Sequence, residues 1–402
     1  MPLDTGDTSF MLVATALVMI MTPGLAFFYG GLVSRKNVLA IMMQSYVSMG
    51  VSTILWVTVG YSLCFSGDVG GIIGNLDMAF LRGIGSSDLY GGADGTIPLL
   101  LFVAYQMMFA IITPALITGA FANRITFKAY LIFLVAWQIL VYYPFVHMIW
   151  GGGMLADWGV LDFAGGIVVH ALAGMAALAS VIYVGKRRVE DAGAHNVPFV
   201  AIGAALLWFG WFGFNAGSEL AVDEVTAVAF INTQIAAAFA AITWLLLAWL
   251  YDRKPSFVEL LIGMIAGLAT ITPAAGFVSP QSAMLIGVAA GVVCYFAVVF
   301  RKKKGLDDAL DVWGVHGVGG ALGIIMLGVL ASESIGGQNG LYHGNQDFFM
   351  VQLAGLALAC VWAFAFTYGM LMMIDMITPV RVTDEAEAAL DVTLHGESAY
   401  ID

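Results

Sequence analysis

Along this chain the polar positions come in short clusters and the apolar positions in long runs. Eleven runs stand out, at roughly 9–33, 38–66, 97–122, 129–148, 163–184, 198–217, 225–250, 257–277, 282–300, 312–331 and 348–377. Each is close to the length of about 20 apolar residues that a helix needs to cross a bilayer. The pattern predicts an all-α polytopic membrane protein with eleven transmembrane helices. They fill a membrane domain over 1–380, and a tail over 381–402 follows.

The basic residues orient these spans. With the amino end outside, the inner loops hold Arg35, Lys36, Arg124, Lys128, Lys186, Arg187, Arg188, Arg253, Lys254, Arg301, Lys302, Lys303, Lys304 and Arg381. Those are 14 of the 15 Lys and Arg, with Arg82 alone outside. The bias follows the positive-inside rule and places the carboxyl end in the cytoplasm. A miscounted helix would scramble every loop after it, so the bias also supports the count.

The two halves echo one another. Ile112-Thr113-Pro114-Ala115 in the third span returns as Ile271-Thr272-Pro273-Ala274 in the eighth. The fifth span carries Asp162 and His170, eight apart, and the tenth region carries Asp308 and His316, also eight apart. Gly174 and Gly320 each follow their histidine by four. The offset is five spans each time, and five is odd. The second copy therefore enters the membrane the other way, which predicts an inverted repeat of about 9–184 and 198–331 with the eleventh helix, 348–377, outside it. Eight residues are a little over two helical turns, so each Asp is expected near the face of its His.

Composition fits a membrane solvent. Hydrophobic residues make up 61% of the chain and charged residues 10%, against roughly 25% charged in soluble domains. The net charge of −12 concentrates in the outer loop 67–96 and in the tail, where Asp384, Glu385, Glu387, Asp391, Glu397 and Asp402 face one Arg381. Nothing in this distribution suggests nucleic acid. Cys64, Cys294 and Cys360 sit in apolar runs without metal-ligand or disulfide spacing. No basic region precedes Arg35, as a secretory signal would require.

Candidate chemistry lies with the histidines. An imidazole in a bilayer core is costly and points to function. Two related by a repeat should meet on its axis, where neutral rings can share a hydrogen, bind a small polar solute or pass a proton. The structural alternative is a pair of helix-packing histidines. A metal site is a weaker alternative, since two His lack a third ligand. Aromatic residues supply the remainder: Tyr105 and Phe109 share a helix face, Trp150 stands in HMIWGGG, and Trp211, Phe214 and Ser218 stand in WFGFNAGS. Trp, Phe and a hydroxyl at one level can hold a small cation. The same residues could equally form an interfacial aromatic belt.

DFAGGIVVHALAG, WFGFNAGS, HMIWGGG, FFYGGLVSRKN and DVWGVHGVGG, taken together and in order, resemble the Amt/Mep/Rh ammonium transporter family. Trp150 and Ser218 bring the chain closer to the bacterial Amt branch than to the Rh branch. The resemblance implies a plasma (inner) membrane homotrimer with one pore per subunit. It implies an ammonium recruitment site at Phe109, Trp150 and Ser218, shaped by Asp162, and a phenyl gate at Phe109 and Phe214. It implies a pore centre at His170 and His316, lined by Trp211, with neither metal nor cofactor. It further implies a tail, Leu390-Asp391-Val392-Thr393-Leu394-His395-Gly396-Glu397, that docks at the inner face and goes with PII-type regulators. Asn123 departs from the family, which more usually has Glu there. That departure bears on inner-face contacts rather than on the pore.

The resemblance leaves two functions in different classes. One is a transporter or channel moving ammonium as ammonia plus a proton. The other is an ammonium sensor whose membrane domain binds and signals. No kinase or cyclase sequence follows in this chain, which favours transport. No set of nucleophile, base and oxyanion donors points to an enzyme.

Overall fold

The computed structural model describes residues 3–189 and 193–401. Asp402, counted above among the acids of the tail, lies outside them. Each apolar run winds into helix, because only intrahelical hydrogen bonds satisfy a backbone placed in hydrocarbon. The helices are α1 (Thr5–Leu32), α2 (Val38–Phe65), α3 (Leu99–Ile117), α4 (Phe127–Asp157), α5 (Gly166–Val184), α6 (Val197–Glu219), α7 (Glu224–Tyr251), α8 (Phe257–Ile271), α9 (Pro280–Lys303), α10 (Trp313–Leu330) and α11 (Gln346–Asp375). Among the described residues, ten are long and apolar enough to cross a membrane. The apolar run expected over 257–277 forms a helix of only 15 residues, α8. It stops at Ile271, before Pro273, whose missing amide cannot continue the helical ladder. No β-strand occurs among the described residues.

The Asp/His segments differ from the helical expectation. Asp162 does not share a helix face with His170, because α5 begins only at Gly166. Gly165 takes φ 116°, a conformation open to glycine and closed to most other residues. That turn lets the Asp162 carboxylate accept four backbone amides: Gly165 and Gly166 on Oδ1 at 2.9 and 2.6 Å, Ile167 and Val168 on Oδ2 at 2.8 and 3.1 Å. The carboxylate thus satisfies the orphan donors of a helix that starts inside the protein. Asp308 plays a similar part for α10, accepting the Trp313 amide at 2.7 Å. Both helices open with a wide π-type turn, and each turn carries its histidine.

Small residues let these two turns touch. A methyl group on Gly174 would collide with the backbone of Gly317, and one on Gly320 would stand 2.6 Å from the Gly166 carbonyl and 2.8 Å from His170 Cβ. The glycines four residues beyond each histidine are therefore contact surfaces for the opposite helix.

The tail folds back on its own chain. Asp391 donates its amide to the Lys36 carbonyl at 3.1 Å and accepts the Ala40 amide on Oδ1 at 2.8 Å. Glu387 accepts the Arg188 amide at 2.6 Å and the Arg381 guanidinium at 2.9 Å. Asn123 has φ 67°, in the left-handed region that Asn tolerates better than Glu. Its neighbour Arg124 is buried and donates to the Gly185 and Asp307 carbonyls at 2.6 and 2.7 Å.

These contacts generate two tests. Gly174→Ala should destabilise the protein by about 1–3 kcal/mol through overpacking, whereas Gly50→Ala, where a methyl meets nothing within 4 Å, should not. Equal melting temperatures for the two variants would contradict the close crossing. The second test concerns Asp308. Burial, and then the charge of Asp311, raise its carboxyl from 3.8 to about 6. A folded-state pKa above the unfolded one gives a contribution that is present below about pH 4 and lost as pH rises through about 6. Between those limits the apparent melting temperature of the native protein should fall relative to that of Asp308→Asn. Parallel pH profiles would show that the Asp308 charge carries no cost.

Candidate functional site

Five helices, α3, α4, α5, α6 and α10, bring the expected residues together. α4 supplies Trp150, just before the Gly151–Gly153 turn. Its indole donates to the Asp162 carbonyl at 2.8 Å, so the loop that caps α5 also aims the ring. His147, one turn earlier and fully buried, bonds the Cys64 carbonyl through Nδ1 and Asp68 Oδ1 through Nε2, each at 2.9 Å. Those bonds fasten the outer loop to the base of the Trp150 turn. The bond from His147 also holds the exposed Asp68 carboxyl below its ordinary value.

The outer end of α6 supplies Phe214 and Ser218. Ser218 Oγ donates to the Phe214 carbonyl at 2.9 Å and lies 3.2 Å from the Tyr105 hydroxyl. Two cavities of about 360 and 260 Å³ meet here, and both are lined by Trp150 and Ser218. Asp162 lines the first and Phe109 the second. Asp162 is therefore at the cavity edge with its carboxylate turned to backbone amides.

Beneath these cavities the aromatic rings close up. The centroids of Phe109 and Trp150 are 6.0 Å apart, and those of Phe109 and Phe214 only 4.4 Å. Phe109 and Phe214 are each 1% exposed, so their rings leave no open space between them. His170 lies 5.9 Å below Phe214 and 5.5 Å from Trp211, ring to ring. Trp211 is held by a 2.9 Å bond from its indole to Thr272 Oγ1.

His170 and His316 face each other, with Nδ1 atoms 3.2 Å apart and rings inclined by 20°. A shared hydrogen between two Nδ1 atoms makes one ring the donor and the other the acceptor. His170 Nε2 is buried with no hydrogen-bond partner. It is an unspent polar atom in apolar surroundings, and such an atom needs an explanation. A narrow cavity of about 20 Å³ runs beside the pair, lined by Leu25, Tyr29, Ile112, Leu207 and Val315 among others. Its size suits roughly one water-sized molecule at a time.

Two residues that the sequence pattern did not single out also line the outer cavities, Gln106 and Glu219. Gln106 precedes Phe109 by almost one turn, and Glu219 directly follows Ser218. A polar residue flanking an aromatic candidate at a span end was the signal available for both. Among the described residues no group of three or more His, Cys, Asp or Glu is placed to hold a metal.

Comparison with known proteins fits this geometry. The profile of the Ammonium Transporter Family matches residues 9–400. The ammonium transporter of Bacillus subtilis (strain 168) is 45% identical over 405 residues, covering 100% of both chains. The crystal structure of Saccharomyces cerevisiae Mep2 has a TM-score of 0.91 at 31% identity, covering 100% of this chain and 94% of that one. A solved sensor Amt protein has a TM-score of 0.89 at 28% identity, covering 97% of this chain and 98% of that one. With likeness running through every apolar helix, this multi-pass membrane protein belongs to the ammonium transporter family.

Proposed function

We propose that this protein moves ammonium across the membrane, taking it up as the cation and passing it as ammonia plus a proton. The observation that carries the reading is the unbroken line from Trp150, through the Phe109–Phe214 ring pair, to the bonded His170–His316 pair. Family membership supports the same substrate, as the related chains are named ammonium transporters.

In this reading ammonium settles at the outer cavity against the faces of Trp150 and Phe109, with one N–H toward Ser218. Asp162 shapes the cavity by holding the loop and Trp150. A bare cation is too costly to pass an apolar slot, so proton and ammonia part there. Ammonia slips past Phe109 and Phe214 when those rings swing. The free Nε2 of His170 either accepts a hydrogen bond from the ammonia or receives the proton released from the cation, in which case His170 passes its Nδ1 proton to His316 Nδ1 and His316 gives up its Nε2 proton on the far side. Trp211 keeps the His170 ring flat against its own. Potassium is refused because it has no proton to shed.

The finer architecture belongs to the same proposal. We take α8 and the turns after it as one further crossing, which gives eleven, with the amino end outside and the tail inside. The Asp162/His170 and Asp308/His316 segments are then the matching parts of an inverted repeat over about 9–184 and 198–331. The membrane domain runs over 1–380 and the cytoplasmic tail over 381–402. The protein works as a homotrimer in the plasma (inner) membrane, and the docked tail offers a surface to a PII-type signal protein. The departure at Asn123 falls beside that tail, since Asn123, Asn37 and Glu387 line one inner pocket.

Sensing is the second reading, favoured by one observation: a protein described as a sensor Amt shares the fold. Proteoliposomes separate the two. The purified protein should give an ammonium-dependent current or uptake. Binding of ammonium with neither would replace transport by sensing, with the outer site as ligand pocket. In the same assay Trp150→Ala should raise the apparent KM roughly 2- to 30-fold, from a cation–π contribution of about 0.5–2 kcal/mol. An unchanged KM would make Trp150 part of an interfacial belt. His170→Asp should change the ratio of ammonium to potassium current, because a carboxylate alters both proton affinity and cation tolerance at that point. An unaltered ratio would remove the pair from the mechanism.

A further inference from the structure

Two carboxylates line the outer cavity of about 360 Å³ with Trp150 and Ser218: Asp162 and Glu219. Their surroundings differ. All the capacity of Asp162 is turned to four backbone amides. Glu219 is half-buried, and no Lys or Arg among the described residues pairs with it. Arg82, in the acidic outer loop, donates instead to the Ala79 and Leu76 carbonyls at 3.0 and 3.4 Å. The neighbour of Glu219 is another acid, Asp223, to which its side chain is hydrogen-bonded. Asp223 is itself occupied, accepting the Thr226 amide at 3.0 Å and the Thr226 hydroxyl at 3.2 Å.

A second observation is independent of these acids. The adjoining cavity of about 260 Å³ is lined by Gln106, which is 9% exposed and whose Oε1 has no hydrogen-bond partner. Around Trp150 and Ser218 there thus stand a carboxylate without a basic partner among the described residues and an amide oxygen without a donor. Leaving such groups desolvated and unmatched is unfavourable. The component that would satisfy them is a small cation rich in N–H donors.

We propose that Glu219 is a specificity-determining residue of the outer site, a carboxylate that acts as the counter-ion of the entering ammonium while Gln106 accepts one of its hydrogens. The inference rests on the outer recruitment site described above and adds its charged member. It assigns the attraction for positive charge to Glu219, since the charge of Asp162 is spent on the backbone. The alternative is that Glu219 and Asp223 share a proton between them, in which case the cavity holds no free charge.

The experiment measures ammonium-dependent current in proteoliposomes against ammonium concentration, at two ionic strengths. Native protein, Glu219→Gln, Glu219→Asp and Trp150→Ala are compared. Glu219→Gln should raise the apparent KM roughly three- to ten-fold, as loss of a partly shielded ion pair does, with a much smaller change in saturating current. Salt should raise the KM of the native protein more steeply than that of Glu219→Gln, because a charge that is absent cannot be screened. Glu219→Asp should recover part of the loss, and it keeps the test alive if the Gln variant folds poorly. An unchanged KM and salt slope in Glu219→Gln, alongside a raised KM in Trp150→Ala, would overturn the role of Glu219 and leave the outer site standing. Unchanged values in both variants would overturn the outer site itself.

Discussion

Four backbone amides converge on the carboxylate of Asp162, and both halves of the site depend on that contact. A helix that begins inside a membrane protein leaves its first amides without partners, and no water is at hand to satisfy them. The carboxylate meets that requirement within a few residues, with Gly165 turning the chain so that it can. The consequence is positional. The same loop offers its Asp162 carbonyl to the Trp150 indole, while α5 sets out with His170 on its first turn. Placement of the outer aromatic ring and of the inner imidazole is therefore a single structural event. Replacing Asp162 would disturb both at once, so loss of function on its removal would not by itself prove a charge contact with substrate.

The histidine pair illustrates a second constraint. Each ring is enclosed by apolar and aromatic neighbours, and two imidazolium charges side by side would be strongly disfavoured there. Neutral rings, by contrast, fit: one donates and one accepts across 3.2 Å. Such a pair is a poor resting place for a metal cation and a good one for a small neutral base. The chemistry follows from burial more than from the histidine as such, since an exposed imidazole pair would hold water and ions equally well.

Much of this was legible because the bilayer writes long, plain signals. Runs of apolar residues announced the helices, and the recurrence of Asp, His and Gly at matched spacing suggested that His170 and His316 meet, as their 3.2 Å contact shows. The close crossing of Gly174 over Gly317 is what that spacing encodes. Less was legible wherever backbone geometry overrides periodicity. A spacing of eight suggested a shared helix face for Asp162 and His170, yet Gly165 breaks the helix and turns the aspartate into a cap. The cue was present, since an acid followed three and four residues later by glycines reads as a helix start as well as a helix face. The run over 257–277 promised a full span, and Pro273 cut its helix short. Gln106 and Glu219 escaped notice because a polar residue at a span end is ordinarily a solvated one. Only the folded chain reveals that Gln106 Oε1 finds no donor and that no basic residue among those described meets Glu219.

The order of environments along the line gives the proposed mechanism its direction. At the outer end stand groups that favour positive charge: indole and phenyl faces, a hydroxyl and unmatched acceptors. Directly beneath them, the 4.4 Å approach of Phe109 and Phe214 removes all polar contact. Next to them, an unpartnered nitrogen, His170 Nε2, offers a polar atom. A cation moving inward thus meets rising cost after a favourable start, whereas a neutral molecule with a lone pair and hydrogens meets an apolar gap and then a partner. The boundary between the two regimes lies at the phenyl rings, so separation of charge from nitrogen has to occur above them. Any group that stabilises the cation too well above that boundary would slow the separation. For that reason a strong, fully ionised contact is disadvantageous, and a carboxylate set at the cavity wall, partly screened, serves better than one in direct contact.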